Sequence, residues 1–183
     1  MSKQVGFYYN QNYCIGCQAC ETACKVKNKL APGIRWRSVD HFETKANGRQ
    51  VDRYLSRACM HCEKPACVRV CPVKAFSKRP ADGIVIQNHE KCVGCRACVY
   101  ACPYKAIAFS QREIKASKCD LCLDNRQQGE APACVRGCPL QVLQAGEISR
   151  MDKEGAAGEC RGFSRNATGP AMRFAPEKRP AHD

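Results

Sequence analysis

Sixteen of the seventeen cysteines fall into four groups of four. Cys14, Cys17, Cys20 and Cys24 form the first group, and Cys59, Cys62, Cys67 and Cys71 the second. Cys92, Cys95, Cys98 and Cys102 form the third, and Cys119, Cys122, Cys134 and Cys138 the fourth. The first and third read C-x2-C-x2-C-x3-C. Two residues between ligands let a tight loop wrap three corners of a small inorganic core, and three residues put the last two ligands one helical turn apart on one face. A Pro follows the last Cys in three groups, at Pro72, Pro103 and Pro139, while Lys25 stands in the first. Soft thiolates in this pattern suit iron–sulfur cubanes at four Cys each. Sixteen thiolates therefore imply four 4Fe–4S clusters, and with them a path for electrons.

In two-cluster ferredoxins the fourth Cys of each run ligates the neighbouring cluster. The groups are therefore expected to work in pairs. Between the second and third lies a turn signal at Asp82–Gly83 followed by Ile84–Val85–Ile86, which looks like the hairpin joining the halves of a bacterial ferredoxin. If those two groups pair, the first pairs with the fourth. The expected ligand sets are Cys14, Cys17, Cys20 and Cys138; Cys24, Cys119, Cys122 and Cys134; Cys59, Cys62, Cys67 and Cys102; and Cys71, Cys92, Cys95 and Cys98.

Other chemistries fit the sequence less well. A disulfide framework needs an oxidising compartment, and the N-terminus MSKQVGFYYN has neither an apolar signal core nor a twin-Arg pair. Zinc sites use C-x2-C pairs, but these come as two separated pairs, without a third Cys at x2 and a fourth at x3 before Pro. The formal charge of +13 counts every Cys as neutral. Four cubanes at about −2 each bring the total to about +5. Lys25, Lys27, Arg57, Arg69, Lys91 and Arg96 flank the motifs and are candidates to offset cluster charge. Basic residues are not interleaved with stacking aromatics, as a nucleic-acid interface would require. No apolar run approaches the length of a membrane span. No Gly-rich phosphate loop or Ser/His/Asp arrangement points to a second chemistry.

The elements that must position these thiols are short. Val5–Tyr9 reads as a strand, and the helix carrying Cys20 and Cys24 is expected to run to about Leu30, before Pro32–Gly33. Ile34–Phe42 and Val51–Leu55 flank Asn47–Gly48, a hairpin signal. Ala106–Phe109 and Glu113–Ala116 resemble a further hairpin. The eleven residues between Cys122 and Cys134 read as a surface loop. CPVKAF from Cys71 and CPYKAI from Cys102 are an internal repeat. From about Ser149 the composition shifts to Gly, Ala, Arg and Pro, so the tail is either disordered or an arm that orders on a partner, and adds little to the body. It holds Cys160, read as a free thiol. His61 beside Cys62 is a hydrogen-bonding neighbour of the site or simply exposed; Trp36 and Tyr54 are local core or a docking surface.

The pieces CIGCQACETACK, YLSRACMHCEKPACVRVCPVKAFSKRPADGIV, CVGCRACVYACPYKAI and KCDLCLDNRQQGEAPACVRGCPLQVL together resemble the iron–sulfur electron-transfer (beta) subunits of the dimethyl sulfoxide reductase family of molybdopterin oxidoreductases. The resemblance spans about residues 5–148 and includes the fourth group's C-x2-C-x11-C-x3-C-P. It implies the same pairing of groups, and four 4Fe–4S clusters, since Cys stands at all sixteen positions, Cys102 included. It implies an α+β fold of two interlocked bacterial-ferredoxin-like modules. The first takes residues 5–33 and 103–148, and the second 56–102. A β-hairpin insert fills 34–55, and an irregular, extended tail fills 149–183. It further implies a non-catalytic subunit whose partner holds a molybdenum or tungsten pterin, with a membrane anchor or soluble carrier at the far end of the path. A hydrogenase or formate-oxidising complex, or a freestanding polyferredoxin, is the alternative setting. The expected location is the cytoplasm or the cytoplasmic face of a membrane, with export only alongside a signal-bearing partner.

Overall fold

The computed structural model describes residues 3–46 and 49–177. In chain order the elements are β1 (Val5–Tyr9), α1 (Ala19–Lys27), β2 (Arg37–Ala46), β3 (Arg49–Ala58), α2 (Ala66–Arg69), β4 (Phe76–Lys78), β5 (Val85–Gln87) and α3 (Ala97–Ala101). There follow β6 (Ala108–Ser110), β7 (Lys115–Ser117), α4 (Leu123–Gln127), α5 (Ala133–Arg136), β8 (Leu143–Glu147), α6 (Ile148–Lys153) and β9 (Met172–Phe174). The fold is mixed α+β, built from short pieces between cysteine loops.

Proline sets the helix lengths. Pro72, Pro103 and Pro139 follow the last Cys of their groups, and the helices before them, α2, α3 and α5, hold only four or five residues. Proline lacks the N–H a helix needs and pushes the residue before it out of the helical region. Cys102, before Pro103, accordingly sits at φ −78°, ψ 110°. Where Lys25 replaces the proline, α1 runs nine residues to Lys27. Three residues past each proline-followed Cys the chain turns through the left-handed region, at Lys74, Lys105 and Gln141, with φ of 50°, 50° and 52°. Three separated stretches thus share one backbone path, the structural form of the internal repeat.

β4 pairs with β5 and β6 with β7, giving the two anticipated hairpins, each antiparallel. The insert is a longer antiparallel pair, β2 with β3, in register from Arg37 opposite Ala58. Its Asn47–Gly48 turn signal lies outside the described residues. The insert reaches back to the cysteine loops: Glu21 accepts the Val39 N–H and pairs with Arg35 at 3.6 Å. Trp36 donates to Ser117 Oγ at 3.0 Å, and the Tyr54 ring packs on Gly16, so both half-buried aromatics serve local packing.

A three-stranded sheet, ordered β8-β1-β9, ties the chain ends to the body. β1 runs antiparallel to β8 and parallel to β9, with Phe7 opposite both Ala145 and Met172. Gly6 is needed there, because a Cβ would stand 1.9 Å from the Ala171 carbonyl oxygen. Phe7, Tyr9, Leu143, Met172 and Phe174 are almost wholly buried and form one core with Leu55, Leu121 and several cysteines.

Residues 178–183 lie outside the described residues, and over 149–177 the irregular, extended tail expected for 149–183 is corrected by this sheet. β9 completes it, α6 buries Ile148 and Met151, and Phe163 stacks on Tyr104 with ring centroids 5.3 Å apart. Isolated apolar anchors in a Gly- and Arg-rich stretch have no period, so hydrophobic patterning does not reveal them. The stretch between Cys122 and Cys134 is likewise more than a surface loop. It carries α4, whose Asn125 is buried and donates to Glu130 at 2.7 Å.

Candidate metal centres

Helix packing decides which thiols meet. α1 packs on α5 and α2 on α3, so the first cysteine group lies against the fourth and the second against the third. The first contact depends on Gly137, where a Cβ would stand 2.6 Å from that of Ala23.

Two clefts are each lined by four thiols. One takes Cys14, Cys17 and Cys20 from the first group and Cys138 from the fourth. The other takes Cys59, Cys62 and Cys67 from the second and Cys102 from the third. In each, three thiols come from one loop and the fourth from the end of another. Negative charge on Cys134 and Cys122 bears on Cys24, that on Cys24, Cys134 and Cys59 bears on Cys119, and that on Cys92, Cys95 and Cys71 bears on Cys98. Among the described residues no three His, Cys, Asp or Glu side chains converge as they would on a single metal ion. A cubane holds its thiolates apart by its own width, so thiols lining a cleft suit it.

Burial sets the chemistry of these thiols. Cys24, Cys59, Cys98, Cys119, Cys122 and Cys134 are buried, while Cys17 and Cys95 are exposed. Burial, and then the neighbouring thiols, pushes Cys24 up to about 12 and Cys98 to about 11. Burial together with Cys59 takes Cys67 to about 12 and, together with Cys24, raises Cys119 well above the usual thiol range. Buried thiols of this kind are poor thiolates alone, and a metal that displaces their protons supplies the missing stabilisation.

Hydrogen bonds toward sulfur are already in place. The backbone N–H groups of Ala75, Ala106 and Leu121 donate to Cys71, Cys102 and Cys119 Sγ at 3.2, 3.5 and 3.3 Å. The left-handed turns at Lys74 and Lys105 aim the first two. Asn28 donates to Cys24 Sγ at 3.6 Å, and Ser56 Oγ lies 3.4 Å from Cys20 Sγ. Thr168, from the tail, donates to Cys62 Sγ at 3.4 Å. Donors of this kind favour the charged sulfur over the neutral thiol.

Sequence reasoning missed Ser56, Thr168 and two buried cations, Arg37 and Lys118. Lys118 lines the cleft of the second group and donates to the carbonyls of Val85 and, at 2.9 Å, Cys119. Three of the six cations that flank the motifs in sequence have partners of their own: Lys27 pairs with Asp124, Arg57 with Asp40, and Arg96 lies over the Phe109 ring. Burial distinguishes the two sets, and burial at an isolated Arg or Lys leaves no mark in a single sequence. His61 is not exposed. It is 1 % accessible, its Nδ1 accepts the Val85 N–H at 3.1 Å, and its Nε2 has no partner among the described residues. Burial, then Lys118 and Lys78, holds its pKa well below 6.5, so the ring is neutral. Cys160 stands apart from all four groups, half-buried, with its thiol raised to about 12 by burial and Glu177.

Residues 51–148 match the family model described as a 4Fe-4S dicluster domain, and residues 11–27 match a 4Fe-4S binding domain. The protein is 38% identical over 164 residues to the B subunit of the anaerobic dimethyl sulfoxide reductase of Escherichia coli (strain K12), covering 84% of this sequence and 78% of that one. It is 37% identical over 158 residues to the same subunit from Haemophilus influenzae, covering 81% and 77%. "Protein NrfC" of Escherichia coli (strain K12) is 36% identical over 151 residues, covering 81% and 68%. The thiol-lined clefts, the repeated cysteine loops and these likenesses agree: the protein belongs to the family of iron–sulfur, electron-transfer B subunits of dimethyl sulfoxide reductase.

Proposed function

We propose that the chain carries four 4Fe–4S clusters and relays electrons between a catalytic subunit holding a molybdenum or tungsten pterin and a membrane anchor or soluble carrier. The observation that carries this reading is the lining of two clefts, where Cys138 stands with Cys14, Cys17 and Cys20, and Cys102 with Cys59, Cys62 and Cys67. The proposed ligand sets are these two and the matching neighbours. Cys14, Cys17, Cys20 and Cys138 hold one cluster, and Cys24, Cys119, Cys122 and Cys134 its neighbour. Cys59, Cys62, Cys67 and Cys102 hold the third, and Cys71, Cys92, Cys95 and Cys98 the fourth.

When bound, the clusters supply one-electron chemistry, and the protein supplies spacing, shielding and charge. Interlocking loops keep neighbouring sites close, because each group contributes thiols to two sites. N–H and O–H donors stabilise charge on sulfur, and burial keeps water from the inner sites. The chain itself is not catalytic in this reading. The name of the dimethyl sulfoxide reductase relatives supports a reductase partner, and its substrate is chosen there. The proposed location is the cytoplasm or the cytoplasmic face of a membrane, with export only alongside a signal-bearing partner. No helix among the described residues is long and apolar enough to cross a membrane.

Affinity isolation under anaerobic conditions from the native host tests the assembly. A large subunit that releases a fluorescent pterin on acid denaturation is expected to co-purify, and its turnover with a dye donor is expected to leave the clusters of this chain oxidised or reduced in step. Isolation without any pterin-containing chain would contradict the reading.

A further inference from the structure

The guanidinium of Arg37 is buried beside Ser56, whose hydroxyl touches Cys20 Sγ of the first cysteine group. The residue is 3 % accessible, Nη1 donates to Ser56 Oγ at 2.9 Å, and Cζ lies 4.4 Å from the centroid of the Phe7 ring. Its Nε and Nη2 are buried and have no hydrogen-bond partner among the described residues. Its exposed neighbour Arg35 pairs with Glu21, and Arg57 on the facing strand pairs with Asp40, whereas no ion pair among the described residues takes up Arg37. A guanidinium cannot shed its proton to escape burial, so an interior Arg without a carboxylate needs another source of negative charge.

Sulfur is close by: Ser56 Oγ, which accepts the Nη1 hydrogen bond, lies 3.4 Å from Cys20 Sγ. Negative charge on Cys134, Cys119, Cys20 and Cys24 favours the charged guanidinium against its burial. Cys20 lines the cleft with Cys14, Cys17 and Cys138, while the other three belong to the neighbouring set. Lys118 differs, because its ammonium is bonded to two carbonyls.

We propose that Arg37 is a positioning residue shared by the two sites of the first and fourth groups, donating Nε–H and Nη2–H to their cluster sulfur and raising the reduction potential of both. The proposal rests on the cluster reading above. Reduction adds one electron and no proton, taking a cubane with four thiolates from about −2 to about −3. A fixed adjacent cation favours the more negative state, most strongly in a dry interior. Because one guanidinium serves both sites, the two potentials move together.

The test is a redox titration followed by electron paramagnetic resonance on the full chain, purified anaerobically, as wild type, Arg37→Lys and Arg37→Gln. In Arg37→Gln the reduction equilibrium of both clusters of the first and fourth groups is expected to fall at least tenfold, 59 mV for one electron. Arg37→Lys, which keeps the charge, is expected to shift them less than threefold. The clusters of the second and third groups are expected to stay within twofold. Should Arg37→Gln fail to load iron, the wild type decides. Protein grown with 15N-arginine is expected to show 15N hyperfine coupling to the reduced clusters, lost in Arg37→Lys. Unchanged potentials in fully loaded Arg37→Gln, equal shifts in Lys and Gln, or no 15N coupling in the wild type would overturn the role of Arg37. Absence of any cluster signal in wild-type protein would instead overturn the reading beneath it.

Discussion

In the proposed reading the cysteines divide into sixteen ligands and one bystander, and single substitutions separate the two kinds. Cys102 lines the cleft of Cys59, Cys62 and Cys67, although it belongs in sequence to Cys92, Cys95 and Cys98. Cys102→Ser is therefore expected to damage the second group's site and to spare that of its own loop. The weakened corner should lose iron and give a three-iron signal in oxidised protein, at a raised potential. Loss of a cluster from the Cys92, Cys95 and Cys98 site instead would show that the ligand is not exchanged. Cys160 is the counterexample. With its thiol near 12, pushed there by burial and then by Glu177, the thiolate fraction at pH 8 is about one in ten thousand. Its sulfur should resist iodoacetamide at pH 8 in loaded protein and react about tenfold faster for each unit of added pH, as read by mass spectrometry. Cys160→Ser should leave the iron count unchanged. Fast alkylation at pH 8, or lost iron, would place that sulfur at a metal.

Among the elements, α1 was expected to run to about Leu30 and ends at Lys27, and the short α2, α3 and α5 before Pro72, Pro103 and Pro139 were not assigned from sequence, although proline accounts for their lengths. β1 and the hairpins β4–β5 and β6–β7 were legible, from β-branched and aromatic runs beside turn signals. β9 was not. It has three residues, its partner β1 lies more than 160 residues away in the chain, and neither fact has a local signature. Its contribution is nonetheless large, because Phe163 and Phe174 fill the core and Thr168 reaches Cys62. Phe163→Ala removes the ring stacked on Tyr104 and should cost about 3–5 kcal/mol. At about 2–4 °C per kcal/mol for a chain of this size, the thermal midpoint read from visible absorbance should fall by roughly 6–20 °C. A midpoint within a degree or two of wild type would mean that the tail adds nothing to the body.

Taken whole, the chain is arranged around its thiols. Cys24, Cys59, Cys119 and Cys134 sit in the main core beside Phe7, Leu121 and Leu143, and Cys98 anchors a second core with Phe76 and Val85. The cysteine spacing was legible because metal chemistry imposes it locally. The contacts of Arg37, Ser56 and Thr168 were not, because they arise only when distant segments meet. The balance of charge belongs to this scale: four bound clusters would bring the formal +13 to about +5. The central claim is four cubanes in one chain, and the most direct measurement is the iron, acid-labile sulfide and zinc content of anaerobically purified full-length protein. About sixteen iron and sixteen sulfide per chain are expected, with no stoichiometric zinc. Roughly two to four zinc per chain with little iron or sulfide would contradict the account.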